Sequence, residues 1–218
     1  MNRKAISSWL IVILSIVCCN AQKVDYNSVC ENLSAERNRI NNYSDEATKY
    51  STSANLLYTS LTDSIFPSWY GTAWDFNGIS NTPGKGEIAC GYFVSTTLKH
   101  AGFNLNRYKL AQQGATTIIK AIAGKESIQT YTNPETLINT LKTKPDGLYA
   151  LGLDYHVGFL AVYNHEVYFV HSDYINNKVV REKALESDAF FSSNLYVLGN
   201  LTGNKTFINN WLNNTKVY

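Results

Sequence analysis

Cysteine and proline are scarce in this 218-residue chain, with four of each, and charged residues make up only 17% of it. So few prolines among many tyrosines and asparagines argue against a disordered chain and for ordered structure away from the termini. The 19 basic and 17 acidic residues nearly cancel. No basic patch therefore points to nucleic acid, and no acidic surplus points to bound metal. Long apolar runs are lacking except near the start, where Arg3 and Lys4 precede residues 9–17. That run is too short to span a membrane. With Cys19, Asn20 and Ala21 ahead of Gln22, it has the three-part pattern of a secretory signal peptide over residues 1–21.

Cleavage after Ala21 removes Arg3 and Lys4 and no acidic residue, leaving 17 charges of each sign. Export to the periplasm or the extracellular space is the expectation. Lipoprotein processing at Cys18 or Cys19 is the second route and would leave a lipid anchor. Val17 or Cys18 stands where a small residue is usual, which puts simple secretion first. Residues 22–218 suffice for one domain with a full core, preceded within it by a helical extension over 22–65. Only Cys30 and Cys90 remain after cleavage, and in an oxidising compartment they could form one disulfide. That is the plain alternative to a functional Cys90.

Apolar positions at helical spacing (Ala47, Tyr50, Ala54, Leu57, Tyr58, Leu61) predict a helix over 44–61. An aromatic, turn-rich loop follows to about residue 86. A helix is expected over 90–100, closed by Gly102, which places Cys90 at its start. Further helices are expected over 107–123 and 134–142, the latter capped by Asn133 with Pro134 at its first position. From Gly147 the period changes to two, and strands are expected at 148–153, 155–163, 167–172, 178–181 and 195–199. Helices first and strands afterwards argue for an α+β fold, with the helices packed on one side of an antiparallel sheet.

A nucleophilic thiol is favoured at a helix N-terminus beside an imidazole, because both stabilise the thiolate. Cys90 meets the first condition, and His156, at the start of a strand, is the expected general base. A third group must fix the ring of His156. If the turn after residue 163 is even-numbered, Val162 pairs with Val167 and His171 falls opposite Gly158, diagonal to His156 on the same face. Asp173, directly opposite His156, is the rival. An odd-numbered loop would turn His171 away. His100 is read as interacting with the C-terminus of its helix, and His165 as a turn residue.

These segments resemble a known family. Residues 71–78, Gly-Thr-Ala-Trp-Asp-Phe-Asn-Gly, are similar to the Gly-Thr-Pro-Tyr-x-x-Gly-Gly loop of the NlpC/P60 cysteine peptidases. Cys90-Gly-Tyr-Phe-Val resembles their Asp-Cys-Ser-Gly-Phe/Leu-Val block, and His156-Val-Gly-Phe their His-Val-Gly-Ile/Val strand. The segment ending at His171 resembles the strand carrying their third polar residue. The resemblance covers residues 71–172 and implies a papain-like fold, no metal or organic cofactor, and an envelope hydrolase acting on peptidoglycan peptides. It also marks departures. The aspartate before the nucleophile is Ala89 here, and the tyrosine near the oxyanion site is Trp74, whose indole N–H could donate one hydrogen bond. A cleft lined by Tyr70, Trp74 and Tyr92 is expected, with Asp75 or Asp173 as its nearest negative charge and a substrate preference unlike that of the family.

Two other functions remain open on the sequence. One is an acyltransferase using the same nucleophile. The other is a non-enzymatic envelope binding module with Cys30 bridged to Cys90.

Overall fold

The computed structural model describes residues 25–218; the signal-peptide segment with Cys18 and Cys19 lies outside the described residues. Helices α1 (Tyr26–Asn41) and α2 (Glu46–Ser60) open it. Asp25 and Asp45 cap them, accepting the N–H of Ser28 at 3.1 Å and of Thr48 at 2.7 Å; each bond fills a donor that a helix start leaves free. α2 continues through a π-helical turn, Leu61–Ile65, into α3 (Phe66–Trp69). After the aromatic loop come α4 (Cys90–His100), α5 (Arg107–Ala111) and α6 (Ala115–Ala123). The single helix expected over 107–123 is thus two, broken at residues 112–114 where Gly114 takes the extended N-cap conformation of α6.

The remainder is β1 (Ile128–Tyr131), α7 (Pro134–Lys142), β2 (Gly147–Gly152), β3 (Val157–Tyr163), β4 (Glu166–Asp173), β5 (Lys178–Lys183), α8 (Asp188–Phe191), β6 (Tyr196–Asn200) and α9 (Lys205–Leu212). The fold is α+β, with a six-stranded antiparallel sheet in the order β1-β6-β2-β3-β4-β5. α7 starts as expected, Asn133 Oδ1 accepting the Thr136 N–H at 2.7 Å.

Helices cover both faces of the sheet, not one. On β3, Val157, Phe159 and Ala161 pack into a core with Phe66, Phe93 and Leu98, while Leu160 and Val162 pack into a second core with Leu137 and Leu141 of α7 and Phe190 of α8. Both pleat faces of the central strands are thus removed from water, so β2 and most of β3 are buried at every position instead of alternating. Phe93 and Phe159 are fully buried, each contributing about 1.5–3 kcal/mol. They hold α4 against the middle of the sheet and so fix where Cys90 sits.

The β3–β4 connection decides the register. Asn164 and His165 adopt positive φ values of 50° and 61°, the two-residue turn whose twist matches a hairpin. Val162 consequently pairs with Val167 and Phe159 with Val170, the even-numbered register. His165 is a turn residue as expected. His100 differs from expectation: it ends α4, but its Nδ1 is hydrogen-bonded to the Tyr26 hydroxyl at 2.8 Å. Burial, then Arg107 and Lys99 nearby, push its pKa down to about 4, so it stands neutral and offers the helix end no charge.

Candidate active site

Cys90 is the first residue of α4, and Ala89 is its N-cap. Alanine has no acceptor to spend on the helix start, which leaves first-turn amides free. Backbone N–H groups of Val157, Gly91 and Cys90 itself pull the thiol pKa down. Gly91 is required by packing: a Cβ there would lie 2.4 Å from the Ala111 carbonyl oxygen, where α5 closes on α4.

His156 immediately precedes β3 and is 4% exposed; His171 on β4 is fully buried. Their rings meet edge to face, with His156 Nε2 and His171 Nδ1 2.8 Å apart. Gly158 makes this possible, since a Cβ at that position would stand 2.8 Å from His171 Cβ and 2.7 Å from the Phe169 ring. Phe169 stacks on the imidazole of His171 at 3.9 Å between centroids, and Tyr174 covers His156 at 5.3 Å.

Glu182 on β5, missed in the sequence reading, completes the chain by accepting from His171 Nε2 at 3.1 Å. Burial raises its carboxyl, but hydrogen bonds from His171 and Ser187 outweigh that and hold it below the ordinary carboxylate range. An ionised carboxylate can only accept, so His171 Nε2 carries a proton. In the tautomer with His171 Nδ1 unprotonated, that nitrogen accepts from His156 Nε2–H at 2.8 Å. The unprotonated nitrogen of His156 is therefore Nδ1, the one left to take a proton in the cleft.

Cys90 and His156 line one cleft of about 800 Å³, together with Trp74, Tyr92, Tyr155 and Tyr174. No direct hydrogen bond joins the sulfur and the imidazole in this geometry, although both line the same cleft. Burial pushes the Cys90 thiol up against the pull of those amides, and burial with the neighbouring His171 holds His156 well below the usual imidazole range. The thiolate favoured on sequence grounds is therefore corrected: desolvation outweighs the helix start, and the resting pair is thiol and neutral imidazole.

No family model, no curated protein and no solved structure matches this chain.

Trp74 and Tyr92 occupy the cleft as expected, but three other residues do not. Asp75 turns back to accept the Asn77 N–H at 2.7 Å, closing its own loop. Asp173 is not an orienter of His156; its carboxylate accepts from Ile175 N–H at 2.8 Å and from Asn176 N–H and side-chain amide at 3.2 and 2.6 Å. Tyr70 opens on a separate cavity with Tyr58 and Arg181, and its hydroxyl is buried without a partner. Cys30 and Cys90 are both free thiols and line different cavities. His171, Asp173 and Glu182 present ligand atoms within 4.8 Å of one another. Both nitrogens of His171 and both oxygens of Asp173 are already hydrogen-bonded, so a cation there would have to break the relay.

Arg107 was also unread in the sequence. It is 3% exposed and donates to the carbonyls of Ile79 and Ser80 and to Thr96 Oγ1 at 2.7–3.1 Å. Its guanidinium also lies 5.4 Å from the Tyr92 ring. It ties the aromatic loop to α4 from behind Tyr92 and is not itself a lining residue of the cleft.

The tautomer argument gives a test. Gln at position 182 can donate to His171 as well as accept, which allows the reverse proton order and places a proton on His156 Nδ1. Glu182→Gln is expected to lower kcat about 10- to 100-fold, short of the roughly 10⁴-fold of a fully reversed tautomer, with KM and thermal unfolding little changed. Ring ¹⁵N shifts of the two histidines should show the mixed tautomer. Wild-type kcat with unchanged ring shifts would remove Glu182 from the relay.

Proposed function

We propose that this protein is an exported cysteine amidase or peptidase, papain-like in type, with Cys90 as nucleophile and His156 as general base. The observation that carries this reading is the Glu182–His171–His156 chain, its two histidines buried, ending at a cleft whose other wall is a free thiol on a helix start. As the sulfur attacks an amide carbonyl, its proton passes to His156 Nδ1, and the oxyanion that forms meets the free amides of α4. The C–N bond then breaks and His156 returns the proton to the leaving amine. Water, deprotonated by His156, cleaves the thioester, releasing the acid and restoring the thiol.

The NlpC/P60 resemblance supports a peptidoglycan-type peptide amide as substrate class, and the ordered Cys90, His156 and His171 segments favour it. The absence of a carboxylate at position 89 weighs against the family's usual specificity. An exported mature chain, whether soluble or lipid-anchored, fits this role. Incubation with peptidoglycan fragments and with capped peptides, followed by intact-mass analysis, tests the reaction. The expected result is a transient acyl adduct on Cys90 and one ¹⁸O from labelled water in the acid product. Acyl transfer to an added amine in preference to water would indicate the transferase reading instead. Failure of every amide and of an electrophilic thiol probe to modify Cys90 would remove the enzyme reading.

A further inference from the structure

Among the described residues, those lining the Cys90 cleft include no aspartate, glutamate, lysine or arginine. Three of the large hydrophobic side chains left exposed by the fold stand among its lining residues: Phe76 at 79%, Tyr155 at 98% and Ile79 at 52% exposure. Isolated exposed hydrophobics are ordinary, but several around one concave site mark a surface that something apolar covers. Inside the rim, Trp74 and Tyr174 place their rings 6.3 Å apart. The polar groups besides the catalytic pair are uncharged, and include the side-chain amides of Asn77, Gln112 and Gln113.

From this we infer that the cleft takes an uncharged peptide segment with an apolar side chain next to the cleaved amide, and that Phe76, Ile79 and Tyr155 are its docking rim. The inference rests on the cysteine-hydrolase reading for the position of the cleaved bond. A substrate carboxylate or ammonium here would lose water and gain no counter-charge, which disfavours it. Amide side chains, by contrast, match the donors and acceptors of a peptide backbone, and the rings supply area for an apolar side chain. The Nε2 groups of Gln112 and Gln113 already donate to the Tyr92 hydroxyl and the Lys109 carbonyl, but a fatty acyl chain would still leave the Asn77 amide and both glutamine carbonyls unmatched. Peptide N–H groups can donate to those oxygens, so a peptide fits the lining better. A cleft of about 800 Å³ has room for a segment of a few residues.

Equilibrium binding to the Cys90→Ala protein tests this without requiring turnover. The probes are N-acetylated tripeptide amides with Phe, Lys or Glu at the central position, and a fatty acyl amide of similar size. The Phe peptide is expected to bind about tenfold or more tightly than the Lys and Glu peptides and more tightly than the fatty amide. Replacing both Phe76 and Tyr155 by serine should erase the difference while leaving thermal unfolding unchanged, since both side chains are exposed. Equal or tighter binding of a charged peptide, preference for the fatty amide, or binding of none of them would overturn the proposal. Preference for the Phe peptide with no turnover by the wild-type protein would leave the specificity standing and remove the hydrolase reading instead.

Discussion

Cys90→Ala is expected to abolish amide cleavage, with a loss of about 10⁴- to 10⁶-fold in kcat, while the protein folds normally. The fold should survive because Cys90 is only part-buried and makes no disulfide. The neighbours that set its position, Gly91 against Ala111 and Phe93 in the core, are untouched. Cys90→Ser is the more informative partner. Since the resting site holds a neutral thiol and a neutral imidazole, attack begins with proton transfer to His156, a step a hydroxyl can in principle share. Serine should therefore keep a trace of activity above alanine, with the remaining deficit reflecting its poorer nucleophilicity.

The same protonation state gives a sign for pH dependence. Burial raises the Cys90 pKa, so alkylation of Cys90 by iodoacetamide should keep rising up to and beyond the ordinary thiol range, with no plateau in the acidic range. A preformed thiolate would instead react at a rate nearly constant from about pH 5 upward. Cleavage, by contrast, needs the neutral imidazole and should persist as pH falls through the ordinary histidine range, because His156 sits well below it. Cleavage by the alanine protein at the wild-type rate would remove Cys90 from the chemistry.

Much of this site was legible in the sequence because its parts are set by local rules. The helix of Cys90 and the cap of α7 follow from spacing and from Asn133, and the placement of His171 follows from turn parity. What was not legible depends on partners far apart in the chain. Glu182 sits on an edge strand beyond His171, and nothing around it in the sequence marks it as anything but a surface glutamate; only the β4–β5 register brings the two together. Asp173 was misread for the opposite reason. The β3–β4 pairs end at Phe159 and Val170, short of His156, and the following Ile175 and Asn176 amides offer Asp173 a closer, local set of donors; short polar side chains favour such turns over distant partners. The helices on the second face do not follow from a period of two, which implies one covered face; β2 and most of β3 are buried at every position, the pattern of strands covered on both faces.

His156→Ala should remove the general base and lower kcat by about 10²- to 10⁴-fold, and it should do so in a way that can be chemically reversed. The deleted ring leaves a space bounded by Phe169, His171 and Tyr174 at the edge of a cleft open to solvent. Added imidazole can enter such a space, donate its N–H to His171 Nδ1, and present its lone pair to Cys90. Partial, saturable rescue is therefore expected. Its pH profile should differ from that of the native enzyme in a defined direction. Under the proposed mechanism, cleavage by the unsubstituted protein is expected to persist below the ordinary imidazole range, because burial and His171 depress His156. Rescued activity should begin to fall at higher pH, because free imidazole must give up its proton near neutrality before it can enter as a base. The variant should also lose roughly 1–3 kcal/mol of stability, because His171 Nδ1 is left without its partner; thermal unfolding measures this separately from rate. A His156→Ala protein with cleavage within about tenfold of wild type would assign the base to another group. Rescue with an unshifted acid limb would show that His156 is not depressed in the working enzyme.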